Sequence, residues 1–178
     1  MIYYQEGSEN TVIGNEELKK AVSEILERIG SRKKVLIIPP DFTRFHSRAG
    51  DITSLIYEHY GKSISDILPA LGTHMPMTSE EMSVMFKGVP GDLFRIHDWR
   101  NDVRTVGTVP GEFVSGLTEG RLSYSWPAQV NKLLIDGGHD LILSVGQVVP
   151  HEVAGMANYN KNIFIGIWAE FLSNSQGH

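Results

Sequence analysis

Asp41 and Arg44, with two residues between them in Asp41-Phe42-Thr43-Arg44, follow an apolar run that ends in Pro39-Pro40. An arginine fork makes two parallel charge-assisted hydrogen bonds, which suits a carboxylate or a phosphate. His74 lies in Gly72-Thr73-His74-Met75-Pro76 after a second apolar run, and His151 in Pro150-His151-Glu152 after a third. Histidine titrates near neutrality, so two of them at one place could take and return a proton in turn. Lys161 comes further on, beyond the small and polar segment Gly155-Met156-Ala157-Asn158-Tyr159-Asn160. Its amine is a nucleophile for acyl or Schiff-base chemistry and could carry a covalent cofactor.

Each of these residues also has a purely structural reading. Asp41 could cap the turn after the prolines with Arg44 as its surface partner, and a single loop histidine is more often a packing or surface residue than a catalyst. Lys161 could be a solvated residue at the start of a strand over Ile163-Phe164-Ile165. Of the remaining histidines, His46 lies near the Asp41 loop and could touch a ligand or belong to an ordinary polar loop, His59 sits near a helix C-terminus where a cation is favoured, and His97 and His139 have no evident chemical partner in the sequence. Glu80-Glu81 fits a helix start, and Met75, Met77, Met82 and Met85 fit helix packing rather than a metal site.

The elements that must position these residues follow from the hydrophobic pattern. Asn15 is read as the N-cap of an amphipathic helix with Leu18, Ala21, Val22, Ile25, Leu26 and Ile29 on one face and Gly30 as its stop. Lys34 to Pro40 holds a continuous apolar run rich in β-branched residues and ended by two prolines, the pattern of a strand buried on both faces. A helix over Ile52 to Tyr60, a strand over Asp66 to Gly72 and a helix from Thr78 to Lys87 follow, the last opened by the capping box of Thr78 and Glu81. Phe94 to Trp99 and Val103 to Val109 are expected as edge or antiparallel strands, and Met1 to Gln5 as a further edge strand. Pro127 is expected to open a helix that runs to Ile135 and closes at Gly137-Gly138, ahead of a second deeply buried strand over Asp140 to Val149. This alternation predicts an α/β fold: a mostly parallel, Rossmann-like sheet with helices on both faces. Ligands of such sheets gather beyond the carboxyl ends of the strands, where Asp41, Arg44, His74 and His151 all fall.

Together, Asp41-x-x-Arg44, Ala70-Leu71-Gly72-Thr73-His74-Met75-Pro76-Met77-Thr78 and Gly146-Gln147-Val148-Val149-Pro150-His151-Glu152-Val153-Ala154-Gly155, closed by Lys161, resemble the nickel-pincer lactate racemase family. The resemblance runs from about Val35 to Lys161 with order and spacing kept. It implies a racemase or epimerase of 2-hydroxy acids. The cofactor would be the nickel-pincer nucleotide, a nickel ion held by a pyridinium mononucleotide with two sulfur-bearing arms. It also implies a hydride mechanism: a histidine removes the hydroxyl proton, the C2 hydride passes to the cofactor, and the keto acid receives it back on the other face. Carried over by position, His74 and His151 match the acid/base histidines, and Arg44 the arginine that anchors the substrate carboxylate. Lys161 matches the lysine joined to the cofactor by a thioamide in the founding type, Asp41 the cofactor-loop aspartate, and His178 lies near the place of the nickel-ligating histidine.

The resemblance further implies that residues 1–178 form one α/β domain, the N-terminal domain of a two-domain enzyme whose C-terminal domain is absent here, with an atypical tail over 166–178. Implied partners are a small-molecule 2-hydroxy acid, that C-terminal domain and the enzymes that build the cofactor. Two alternatives from other classes stay open: a non-catalytic anion- or metal-binding module on the same edge, and a His/Asp metallohydrolase.

Composition narrows the classes without reference to any family. The 178 residues are 41% hydrophobic and 21% charged, ordinary for a globular domain, with a formal charge of −5 and no large basic cluster to gather nucleic acid. The chain contains no cysteine, so disulfides, thiolate zinc sites and thiol nucleophiles drop out. No apolar run is long enough to span a bilayer and no signal segment opens the chain, so a cytoplasmic protein that binds no membrane is expected.

Overall fold

The computed structural model describes residues 1–151, 155–158 and 160–167. Its centre is the β-branched run read above: β1, Val35–Ile38, is buried at every position. β1 lies between β2, Ile64–Ile67, and β5, Leu141–Ser144, and both pairings are parallel. Parallel neighbours need crossover helices, and these cover both faces. On one face Val35 and Ile37 meet Val22 and Leu26 of α1 (Asn15–Ile29), Ile56 and Tyr60 of α2 (Ala49–Tyr60), and Phe86 just past α3 (Ser79–Met85). On the other, Leu36 and Ile38 meet Leu68, Ile167 and the flank of α5, Leu133–Asp136. The expected α/β fold, a parallel sheet with helices on both faces, is what the chain adopts.

The entries of β1 and β5 are tied by one side chain. Asp140 accepts the backbone N–H groups of Lys33 and Lys34 at 2.8 and 2.9 Å, and these bonds hold its carboxyl below the usual aspartate range. α2 and α3 approach so closely that a Cβ at Gly50 would stand 2.1 Å from the carbonyl oxygen of Met85. Alanine normally stabilises a helix interior relative to glycine, but here the backbones would have to part. Gly50→Ala is expected to lower unfolding stability by about 1–3 kcal/mol, read by chemical denaturation.

Several expectations are corrected. Pro127 does not open a helix: Trp126–Asn131 is β4, antiparallel to β3, Val103–Val109, because Val103–Val109 offers a ladder and a proline is tolerated in a two-stranded ribbon. The helix starts only at Leu133, whose N–H is capped by the Asn131 side chain at 2.9 Å, and it closes at Gly137 as expected. α4, Gly111–Leu117, sits between the two strands in sequence. Phe94 to Trp99 forms no strand beyond a bridge of Phe94 to Ile67, since His97 turns inward to Asn131 and Asp98 folds back onto the N–H groups of Arg100 and Asn101. Met1 to Gln5 joins no sheet, and Met1 and Ile2 are exposed. β2 begins and ends earlier than Asp66 to Gly72. β5 is shorter than Asp140 to Val149 and alternately half-buried and exposed, as an edge strand is. α1 is capped by Gly14 rather than Asn15, and α2 starts at Ala49 rather than Ile52, whereas the Thr78–Glu81 capping box forms as read. Among the described residues no helix is long and apolar enough to cross a membrane.

Candidate active site

Because β1 is the middle strand of three parallel ones, the loop after it is flanked by the loops after β2 and β5. A cleft of about 230 Å³ forms where they meet, and Asp41, Arg44, His74, His151 and Lys161 all line it. This convergence joins residues far apart in sequence at the carboxyl edge of the sheet.

Asp41 is buried and sits at the start of a 3₁₀ turn, Phe42–Ser47. One of its carboxylate oxygens, Oδ1, accepts the Thr43 N–H at 3.1 Å and the Thr43 hydroxyl. The other, Oδ2, lies 2.5 Å from His74 Nδ1. A carboxylate can only accept, so Nδ1 carries a proton, and in the neutral imidazole the lone pair is then on Nε2. Asp41 therefore does cap its turn, but its partner is His74 and not Arg44. Arg44 is exposed on the same turn and lines the cleft.

His74 is placed by a tight turn that needs glycine. Gly72 has φ +57°, its N–H donates to the Gly166 carbonyl at 2.7 Å, and the His74 N–H closes back onto the Leu71 carbonyl at 2.9 Å. His151 lies on β6, Pro150–His151, paired antiparallel with β7, Gly155–Met156, and the Ala157 N–H to Val149 carbonyl bond of 2.8 Å extends this small ribbon. Lys161 is not at a strand start: it lies in α6, Asn160–Phe164. Two attachments hold that helix across the cleft. At its far end the turn carrying Gly166 packs against Ala70, where a Cβ on Gly166 would come within 2.7 Å. At its near end Asn158, in the left-handed region at φ +54°, donates to the Gly146 carbonyl at 2.8 Å and accepts from the Ser144 hydroxyl at 3.3 Å.

Thr43 and Asn158 are two residues of the site that sequence reading passed over, and Ser47, Gln147 and Asn162 also line the cleft. The one signal for Asn158 is that asparagine tolerates the left-handed turn its small, polar segment requires. The histidines set aside do stay outside the cleft: His97 bonds Asn131 at 2.9 Å, His139 bonds the buried Asp66 at 3.0 Å, and His46 and His59 pack against Phe45 and Tyr60. His178 lies outside the described residues. Among the described residues no group of three or more His, Asp or Glu is arranged to hold a metal ion.

An amine, a guanidinium and a carboxylate-oriented imidazole around one polar cleft can fix an anionic substrate and move a proton at its neighbouring atom. Comparison with known proteins gives the same region a family. Residues 5–171 match the lactate racemase N-terminal domain. The chain is 32% identical over 143 residues to the lactate racemase of Thermoanaerobacterium thermosaccharolyticum, covering 76% of this chain and 30% of that enzyme. A solved structural-genomics protein of Thermotoga maritima superposes with a TM-score of 0.74 at 32% identity, over 93% of this chain and 40% of that one. The lactate racemase apoprotein of T. thermosaccharolyticum superposes with a TM-score of 0.62 at 26% identity, over 85% and 37% of the two chains. The chain thus spans well under half the length of each of these relatives.

Proposed function

Since the chain belongs to the lactate racemase N-terminal domain family, we propose that it forms the catalytic cleft of a 2-hydroxy-acid racemase or epimerase that works with the nickel-pincer nucleotide. The observation that carries this reading is the single cleft lined by Arg44, His74, His151 and Lys161, with His74 held by Asp41.

Arg44 binds the substrate carboxylate through its fork and gives the acid a fixed pivot. His74 Nε2 takes the hydroxyl proton, and Asp41 stabilises the imidazolium that results. His151, brought in from the loop after β5, does the same for the hydroxyl of the opposite enantiomer. Two bases are needed because the oxygen changes sides when the flat keto acid turns about its carboxylate. Thr43 is the residue that keeps Asp41 turned toward His74.

The donor set fits the family's cofactor: Lys161 offers a primary amine for a thioamide link within the same cleft as the acid/base groups. No three ligating side chains converge among the described residues, so a nickel ion here would bring ligands with its carrier or take them from residues such as His178. When bound, the group supplies the hydride acceptor for C2, a redox function this chain's side chains do not have. A second domain closing over the cleft, and delivery by cofactor-building enzymes, belong to the same proposal.

Arg44→Lys tests the substrate side of the assignment. A point charge replaces a two-point clamp, so KM for the hydroxy acid is expected to rise at least about tenfold with a smaller fall in kcat. An unchanged KM in steady-state racemisation would remove Arg44 from the substrate site.

A further inference from the structure

The Asp41–His74 pair has a second side. A separate cleft of about 300 Å³ is lined by Phe42, Met75, Met77 and Glu81 together with Asp41 and His74. The hydrogen-bonded pair is therefore a wall common to both clefts. The walls that belong to the second cleft alone are apolar apart from Glu81. Phe42 packs against Phe45 with ring centroids 5.3 Å apart, Met77 rests on the main core, and Met75 is 84% exposed at the mouth. Methionine is unbranched and polarizable and adapts to irregular apolar groups. Glu81 is fixed in place, because its Oε2 accepts the Thr78 N–H at 2.8 Å and the Thr78 hydroxyl at 3.1 Å as half of the capping box.

We propose that this second cleft is the subsite for the substituent on C2 of the hydroxy acid, and that it takes an apolar group larger than a methyl, branched aliphatic or aryl, on a monocarboxylic acid. The inference rests on the assignment of the carboxylate to Arg44 and the hydroxyl to His74. With those two groups placed and the C2–H bond left for the redox step, the remaining substituent reaches over the solvent-exposed edge of the His74 ring, whose side chain is 60% exposed, into the space beside Phe42, Met75 and Met77. A methyl would leave that space unfilled. A second carboxylate would face the carboxylates of Glu81 and Asp41 with no lysine or arginine among the lining residues and with His74 already paired to Asp41.

The test is binding to the cofactor-loaded protein labelled with methyl-13C methionine, titrated with lactate, 2-hydroxyisocaproate, 3-phenyllactate and malate, with the histidine ring signals followed in parallel. We expect the Met75 and Met77 methyls and the His74 ring to shift together with 2-hydroxyisocaproate and 3-phenyllactate. Lactate should bind at least about tenfold more weakly, and malate should not reach the methionines. Met75→Asp, at an exposed position that leaves the fold intact, should weaken the two larger acids several-fold more than it weakens lactate. If the His74 ring shifts equally for all four acids while both methyls stay still, the substituent lies elsewhere and the subsite is overturned, though the racemase reading survives. If His74 shifts with none of them, the racemase reading falls and takes the subsite with it.

Discussion

Replacing His74 by alanine in the cofactor-loaded enzyme is expected to reduce racemisation by about 10²- to 10⁴-fold, the range that a positioned general base supplies. The side chain is half-exposed in the cleft and contributes little to the core, so the variant should fold and the loss should appear in kcat. Asp41→Asn should reproduce much of the loss while leaving His74 in place. Thr43 N–H holds Oδ1 of residue 41 at 3.1 Å, so the amide of asparagine would keep its oxygen there and turn its NH₂ toward His74. That donor would force the proton from Nδ1 to Nε2, and the imidazole would present N–H where a lone pair is needed. A fall on the order of 10³ in kcat, with KM nearly unchanged, is the expected signature. Near-normal turnover in His74→Ala would remove the acid/base role from His74, and near-normal turnover in Asp41→Asn would remove the orienting role from Asp41.

The second large effect is at Lys161. The amine lines the cleft from α6, and alanine is a better helix former than lysine, so Lys161→Ala should keep the helix and the Asn158 attachment. After exposure to the mature nickel cofactor, the unaltered chain is expected to show a mass increase with stoichiometric nickel and the variant neither, read by intact mass and metal analysis. Lys161→Arg keeps the charge but not the nucleophile and should behave like alanine. Nickel retained at full stoichiometry by both variants would show that Lys161 is not the attachment point.

The parts of the fold readable in the sequence were those where one residue type has one physical role. The β-branched run at Val35–Ile38 could only be a strand covered on both sides, and Thr78 with Glu81 could only be a helix start. Pro127 was ambiguous because proline serves equally at a first helical turn and in an edge strand, and the partner that decides, Val103–Val109, is a tertiary fact. Phe94 to Trp99 had the composition of a strand, but the burial of His97 against Asn131 took it out of the ladder.

The site divides in the same way. Which loops meet was legible, because parallel strands deliver their carboxyl ends to one edge. Which side chains bond was not: strand order β2-β1-β5 places His74 next to Asp41, and nothing local to Asp41-x-x-Arg44 reveals it. Asn158 and Thr43 act through their neighbours rather than by their own chemistry, so only the folded arrangement exposes them.

Racemisation of C2-deuterated lactate in ordinary water by the cofactor-loaded protein, with enantiomer composition and label followed together, distinguishes the hydride route from proton abstraction at C2. The opposite enantiomer is expected to appear with deuterium still on C2, because in the proposed route the hydrogen leaves and returns without meeting solvent while His74 and His151 exchange only the hydroxyl proton. Loss of the label to water during racemisation would contradict the hydride route, and binding of lactate without formation of the other enantiomer would contradict the enzyme assignment itself.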